Sequence, residues 1–432
     1  MPNCERCGQE FSRANGLEKH LLRKKPCKKP VALIQRELET AGVVTESLEE
    51  FRDSSKKFNS SLSKKLRSDM GIYFTPKKVR SLLFEKLDEL GVVPSTILEP
   101  SFGSGEFILD ARHKYADAHI YGVEMNEALF KSVSCPNATL VNANFLDWSG
   151  TADLIIGNPP YFVMKDTNKH RLYGECMTGR ANIYILFLYK CLKEHLKDNG
   201  FLAFVIPTSL YNCSYYQPIR DYIYTHMTIR YVETLNRPGF YQTGQETILI
   251  ILQKGKYDDA YIYKAKTGTI YISPFYKELY ALTESTTSLA ELGIGVKTGN
   301  VVWNQVKDKL SDTGTLLIYS SNIRGSKLTL GNLKGTKKQY VKDLKKPKLK
   351  GPVILVERGY GNSFSFDSTL VNMDEFYAEN HLNVLYLKSG TLTDLERVVK
   401  SFQDKRSVQF IRWFLGNGSI SSKDLEGVIP IY

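Results

Sequence analysis

The chain has 432 residues, enough for two or three domains and a sizeable buried core. Hydrophobic residues at 42%, charged at 24% and aromatic at 12% lie near globular averages, which excludes wholesale disorder, collagen and coiled coil. Lysine plus arginine (58) exceeds aspartate plus glutamate (46), a net +12 that favours a polyanionic partner. No apolar run approaches a bilayer span, and the first residues, MPNCERCGQEF, carry no signal-peptide stretch, so the expectation is an intracellular, cytoplasmic protein without membrane contact.

The first element is a cysteine cluster. Cys4-x2-Cys7, twelve residues, His20, six residues and Cys27 supply three sulfurs and one imidazole, a full tetrahedral zinc shell. Phe11 and Leu17 fall where a hairpin and a helix would share a hydrophobic pair. The arrangement resembles a ββα zinc finger, with a cysteine as last ligand and a longer final gap than usual. Metal binding would supply most of its folding free energy. Its "HLLRKKPC" segment is similar to fingers of large DNA viruses. The four other cysteines are scattered through apolar segments and read as core residues or inert thiols, so no disulfide framework is expected. The expected organisation is a finger at 1–30, a helical linker at 31–70, a catalytic domain at 71–258 and a binding domain at 259–432.

From residue 71 apolar strands alternate with helical segments, the pattern of an α/β domain with a mainly parallel, Rossmann-like sheet. Thr96-Ile-Leu-Glu-Pro leads through Ser-Phe-Gly103-Ser-Gly105 into a helix, and glycines there let a ligand approach the backbone. A second strand, His119 to Glu124, ends in an acid nineteen residues beyond Gly105, able to accept both hydroxyls of a ribose. The G-x-G pattern lacks the third glycine of a dinucleotide site, which points to a nucleoside cofactor without phosphates.

The third signal is Ala152-Asp-Leu-Ile-Ile-Gly followed by Asn158-Pro159-Pro160-Tyr161. Two prolines fix φ and remove two backbone donors, leaving carbonyls free to accept. The Asn158 side-chain oxygen and the Pro159 carbonyl then form a rigid acceptor pair for the two hydrogens of an exocyclic amine. Accepting both draws the lone pair out of conjugation and aims it at an electrophile. Tyr161 offers a flat face for a base. No nucleophilic cysteine stands beside a suitable motif, and no HExxH, P-loop or EF-hand occurs.

The combination of GIYFTPKKV, LEPSFGSGEF, YGVEMN and GNPPY, followed by NIYILFLYKCLKEHLKDNGFLAFVIP, resembles the gamma-class, TaqI-type, DNA adenine-N6 methyltransferases over about residues 71 to 255. The resemblance implies an S-adenosylmethionine-dependent enzyme acting on adenine rotated out of double-stranded DNA. It implies that Thr75 lies near the methionine end of the cofactor, that Glu99, Pro100, Ser101 and Gly103 line its amino-acid portion, that Glu124 takes the ribose and that Met125 packs on the cofactor's adenine. Asn144-Phe145 falls where the family has Asp-Phe, with Asp147 a competing acceptor for the cofactor's amino group. Phe240, in RPGFYQTGQETILIIL, stands where the family places a second aromatic against the target base, and its neighbour Tyr241 could take that role.

Asn182 is expected to open a helix with Ile185, Leu188, Leu192 and Leu196 on its core face, ending at Asn199-Gly200 before a strand to Pro207. Residues 259–432 show short strands and turns with less regular helices. Leu292 to Asn300, Phe414 to Ile420 and the closing GVIPIY resemble target-recognition domains of the same class, which read base edges in a groove. Arg324 to Lys350 holds ten Lys/Arg against one acid, Asp343, and is expected to meet phosphates. A monomer is expected, with a cognate restriction endonuclease as a conceivable partner. The alternatives are a methyltransferase acting on RNA adenine or protein glutamine, and a non-catalytic DNA-binding relic.

Overall fold

A computed structural model describes residues 74–164, 170–180, 182–235, 246–331, 333–359, 366–415 and 420–432. The finger residues Cys4, Cys7, His20 and Cys27, the linker at 31–70, and Phe240 with Tyr241 lie outside them. Among the described residues no His, Cys, Asp or Glu cluster could hold a metal, and no helix is long and apolar enough to cross a membrane.

Seven strands form one sheet: β1 (Thr96–Glu99), β2 (His119–Glu124), β3 (Ala138–Asn142), β4 (Ala152–Gly157), β5 (Leu196–Pro207), β6 (Met227–Leu235) and β7 (Thr247–Lys254), in the order β3-β2-β1-β4-β5-β7-β6. The first five pair in parallel, and β7 runs antiparallel between β5 and β6. This is a mainly parallel, Rossmann-like sheet, as the alternation of elements predicts. Both faces are covered, so the central strands are apolar throughout and their side chains divide by alternation. Leu98, Ile155, Leu202, Phe204, Ile206, Ile248 and Ile250 enter one core. Ile97, Leu154, Ile156, Ala203, Val205, Leu249 and Ile251 enter the other, with helix α1 (Lys77–Glu89) and helix α2 (Glu106–Lys114).

Helix α3 (Ile183–Lys190) starts where expected, with Asn182 capping the Tyr184 amide, but it ends earlier than its apolar spacing predicts. One π-turn, Cys191–His195, follows, and Leu196 already begins β5, paired with Ala152. Asn199 sits at φ +61°, inside the strand's irregular first half rather than at a helix end. A side chain at Gly200 would stand 2.8 Å from the Asp153 carbonyl oxygen, which is why glycine follows. Strand pairing, which local spacing does not report, takes these residues from the helix.

Beyond β7, a hairpin of β8 (Ile262–Lys264) and β9 (Ile270–Ile272) serves two cores at once. Ile262, Ile270 and Ile272 pack into the catalytic core, whereas Tyr263 and Tyr271 face the C-terminal one. From helix α4 (Gln217–His226), the buried Arg220 donates to the carbonyls of Ile270 (2.8 Å), Cys213 (2.8 Å) and Leu210 (3.3 Å) and lies over the Tyr271 ring. The Tyr271 hydroxyl in turn donates to Asp424 at 2.7 Å. The C-terminal part is built on a four-stranded antiparallel sheet of Ile294–Thr298, Leu382–Leu387, Val353–Glu357 and Ser368–Val371, in that order. It carries two well-formed helices, Leu392–Phe402 and Lys405–Phe414, more regular than the sequence suggests.

Candidate active site

Three strand ends converge. Because β1 lies between β2 and β4, the turns that follow these strands are neighbours at one edge of the sheet, the usual ligand position in such folds. Gly105 sits at φ +80° with Val133 directly behind it, so this turn admits only glycine. Gly157, at φ +150°, precedes Asn158; a side chain there would point at Glu99 Cγ, 3.5 Å away, and Pro100 Cδ, 3.6 Å away. The end of β4, from which the Asn-Pro-Pro-Tyr turn starts, therefore stands directly against the Glu99–Pro100 turn.

Glu99 is buried and its Oε2 has no hydrogen-bond partner among the described residues; the Ser101 hydroxyl is likewise buried and has none among them. Burial pushes the Glu99 carboxyl well above its ordinary range, and the nearby Glu106 and Glu124 push it further. Such a carboxylate calls for a cation. The ammonium of an S-adenosylmethionine methionyl group has the right chemistry, so the residues present fit the cofactor. Glu124 is held by two backbone amides, Gly103 N at 2.8 Å and Asn126 N at 2.7 Å. Burial raises its pKa, and those amide bonds offset part of the rise. Its position thereby ties the end of β2 to the glycine turn. Met125, beside it, is 69% exposed and available to cover a flat ligand.

Asn144 and Asp147 are bound to each other, Nδ2 to Oδ2 at 2.8 Å, while Asn144 Oδ1 caps Leu146. The two candidates thus form one polar pair. Phe145 differs from expectation: its ring is 2% exposed and packs on Phe187 and Trp148, because the short helical turn at 145–147 directs it into the core.

Asn158 is half-buried, and its Nδ2 donates to Thr75 Oγ1 at 3.0 Å. Pro159 is buried and Pro160 half-buried. Tyr161 also differs from the open face expected of it. The ring is 6% exposed, edge-on to Tyr184, and its hydroxyl, with one proton to give, lies within reach of two acceptors, the Val205 carbonyl (2.6 Å) and Asn158 Oδ1. Burial holds the phenol neutral, with its pKa well above the ordinary value. The hydroxyl draws the ring inward, and the residue acts on the Asn158 amide from behind.

Sequence reading missed Arg80 and Asp110. Arg80, 5% exposed, donates to the Thr75 carbonyl (2.5 Å) and to Asp110 (2.6 Å), joining α1 to α2 beneath the site. An arginine among the charges of KKVRS carries no local mark of this burial.

In the basic segment the structure separates the side chains. Lys338 pairs with Asp312, Lys348 with Glu375 and Lys337 with the buried Glu379, while Lys346 donates to the Asn300 carbonyl. Arg324, Lys327, Lys334, Lys342, Lys345 and Lys350 are exposed and have no side-chain partner among the described residues.

Residues 92–240 match the model of the Eco57I restriction-modification methylase family. The chain is 32% identical over 394 residues to the type II methyltransferase M.CvrRI of Paramecium bursaria Chlorella virus XZ-6E, covering 88% of this chain and 99% of that one. It is 31% identical over 397 residues to the modification methylase CviBIII of Paramecium bursaria Chlorella virus NC1A, covering 89% and 100%. Among solved structures, a putative class I S-adenosylmethionine-dependent methyltransferase from Listeria monocytogenes aligns at 18% identity and TM-score 0.39, covering 56% of this chain and 78% of that chain.

Proposed function

The chain belongs to the type II restriction-modification methyltransferases, and from that premise we propose that it transfers a methyl group from S-adenosylmethionine to N6 of an adenine turned out of double-stranded DNA at a specific sequence. One observation carries the reading: Gly157, which leads directly into the Asn158-Pro159 acceptor pair, abuts the Glu99–Pro100 turn, which supports an amine held by the pair lying beside a cofactor held by that turn. When bound, the cofactor supplies an electrophilic methyl on a positively charged sulfur. Glu99 and Ser101 take its methionyl end, Glu124 the ribose and Met125 the adenine, with the Asn144–Asp147 pair at the cofactor's amino group.

Asn158 Oδ1 and the Pro159 carbonyl accept both hydrogens of the target amine, and Pro160 keeps the turn rigid. The lone pair is aimed without a strong base. Turning the base out costs a few kcal/mol of stacking. Phe240, or Tyr241, is the aromatic proposed to offset this. The C-terminal domain reads base edges, and the cations of 324–350 that have no side-chain partner among the described residues hold phosphates. The Cys4, Cys7, His20, Cys27 finger is an accessory zinc module touching DNA through its basic flank. The enzyme acts as a monomer.

A radiolabelled-methyl assay on duplex DNA, followed by nucleoside chromatography, tests the reading. The expected product is N6-methyladenine in one sequence context, lost in Asn158→Ala. Transfer to RNA or protein in preference to DNA, or transfer unchanged by Asn158→Ala, would overturn it.

A further inference from the structure

An asparagine amide can accept from a target amine only when its oxygen faces that amine. Turned by half a rotation, it presents NH2 to NH2, donors against donors, and the pair repels. The two orientations have nearly the same shape, so packing alone does not choose between them. The choice falls to the groups that meet the two ends.

Two of those groups are identifiable in this chain. Nδ2 meets Thr75 Oγ1 at 3.0 Å, and Oδ1 meets the Tyr161 hydroxyl. Thr75 is 4% exposed and lies 83 residues from Asn158 in the chain. Its own placement is fixed twice over. The guanidinium of Arg80, in the first turn of α1, donates to the Thr75 carbonyl at 2.5 Å, and the same guanidinium is anchored on Asp110 of α2 at 2.6 Å. The preceding residue, Phe74, lies over the glycine turn, 3.6 Å from where a Gly103 side chain would begin. The Phe74–Thr75 segment thus touches the glycine turn and the amide that follows β4, and through Arg80 it is tied to α2.

We propose that Thr75, held in place by Arg80, is the positioning residue that fixes which way round the Asn158 amide faces. This rests on the reading of Asn158 as acceptor of the target amine. Thr75 accepts the amide's N–H, the Tyr161 hydroxyl meets one lone pair of Oδ1 from behind, the other lone pair is the one that accepts from the target amine, and the reaction proceeds without first waiting for a rotation. Asn158 remains the catalytic residue, and Thr75 acts through it.

The test uses the full-length enzyme, duplex DNA and single-turnover methyl transfer at saturating S-adenosylmethionine, with cofactor affinity measured separately by calorimetry. Thr75→Val removes the acceptor with little change of shape and is expected to slow transfer about 10- to 100-fold, the scale of a small misplacement at a reacting centre. Thr75→Ser restores the acceptor and is expected to recover most of the rate. Thr75→Ala carries the same expectation as Thr75→Val should that variant fold poorly, and cofactor binding reports that each variant is folded. In an Asn158→Asp background the side chain has an acceptor at both ends, so adding Thr75→Val is expected to cost under about 3-fold. The proposal is overturned if Thr75→Val matches wild type, if saturating cofactor restores its rate, if Thr75→Ser is as slow, or if the loss is equal in both backgrounds. The Val and Ser pair decides even where the Asn158→Asp enzyme is too slow to measure. Wild type that methylates no DNA would instead refute the reading of the site itself.

Discussion

The basic segment gives the sharpest quantitative expectation. Of its ten cations, four are engaged within the protein and six, Arg324, Lys327, Lys334, Lys342, Lys345 and Lys350, have no partner among the described residues. Each cation that meets a phosphate releases condensed counterions and contributes about 0.9 to the slope of log K against log salt. Between 50 and 200 mM salt, that is about 3.5-fold in affinity per contact, and roughly 2,000-fold were all six to engage. Lys342→Ala and Lys345→Ala are each expected to reduce the slope by about 0.9, or about 1.8 together. Removing the Lys338–Asp312 pair as a unit keeps net charge constant and deletes a cation already neutralised at 2.8 Å. Its slope is expected to equal that of wild type. Fluorescence anisotropy with a duplex across that salt range reads both. Equal slopes for wild type and the Lys342→Ala/Lys345→Ala enzyme, or a comparable drop on removing the Lys338–Asp312 pair, would refute the division of the segment into free and engaged cations.

Three further outcomes follow from the site and its supports. Glu99 must be ionised to hold an ammonium, and burial raises its pKa, so cofactor affinity is expected to strengthen as pH rises above about 4.5 through that raised value. Calorimetry in buffers of different ionisation enthalpy should show proton release in this window. Glu99→Gln is expected to weaken binding about 10- to 100-fold and to abolish the pH dependence, the scale of a lost charge-assisted hydrogen bond. Glu357 is raised to about 7 by burial and by Asp367. The folded state binds that proton more tightly than the unfolded chain, so this residue's contribution to stability is fully present below pH 4.5 and is lost as pH rises through 7. Glu357→Gln is therefore expected to raise Tm at pH 8 relative to wild type and to leave it unchanged at pH 4; a uniform shift at both would contradict this. Arg220→Met removes three hydrogen bonds to buried carbonyls, of which Cys213's keeps its bond from the Tyr216 amide, and is expected to cost about 2–4 kcal/mol in denaturant unfolding. A cost within experimental error would mean that water satisfies them.

The catalytic sheet and the three turns are legible in the sequence because each is written locally. An apolar run that ends in Gly-rich, acidic or Asn-Pro-Pro-Tyr residues reports its own strand and turn, and parallel α/β topology places the turns at one edge. What is missed depends on partners distant in sequence. Leu196 continues a helical period but pairs with Ala152, and strand pairing decides its state. Phe145 and Tyr161 sit in motifs whose spacing says nothing of side-chain direction, and Phe187 and the Val205 carbonyl determine theirs. The charge run at 324–350 shows its sign in sequence, whereas the neutralising acids, Asp312, Glu375 and Glu379, are contributed from elsewhere in the chain.

The hairpin at 262–272 has a practical corollary for anyone who wishes to exchange sequence specificities between relatives. A cut at residue 258, where composition suggests a seam, would strip Ile262, Ile270 and Ile272 from the methyl-transfer half and expose the apolar surface they cover. A cut after residue 273 keeps them, and then the incoming half must supply a surface to receive Tyr263 and Tyr271 together with a carboxylate equivalent to Asp424. Chimeras joined beyond the hairpin, with donor halves matched to those two tyrosines, are the ones expected to remain soluble and to retain catalysis while changing the site they mark.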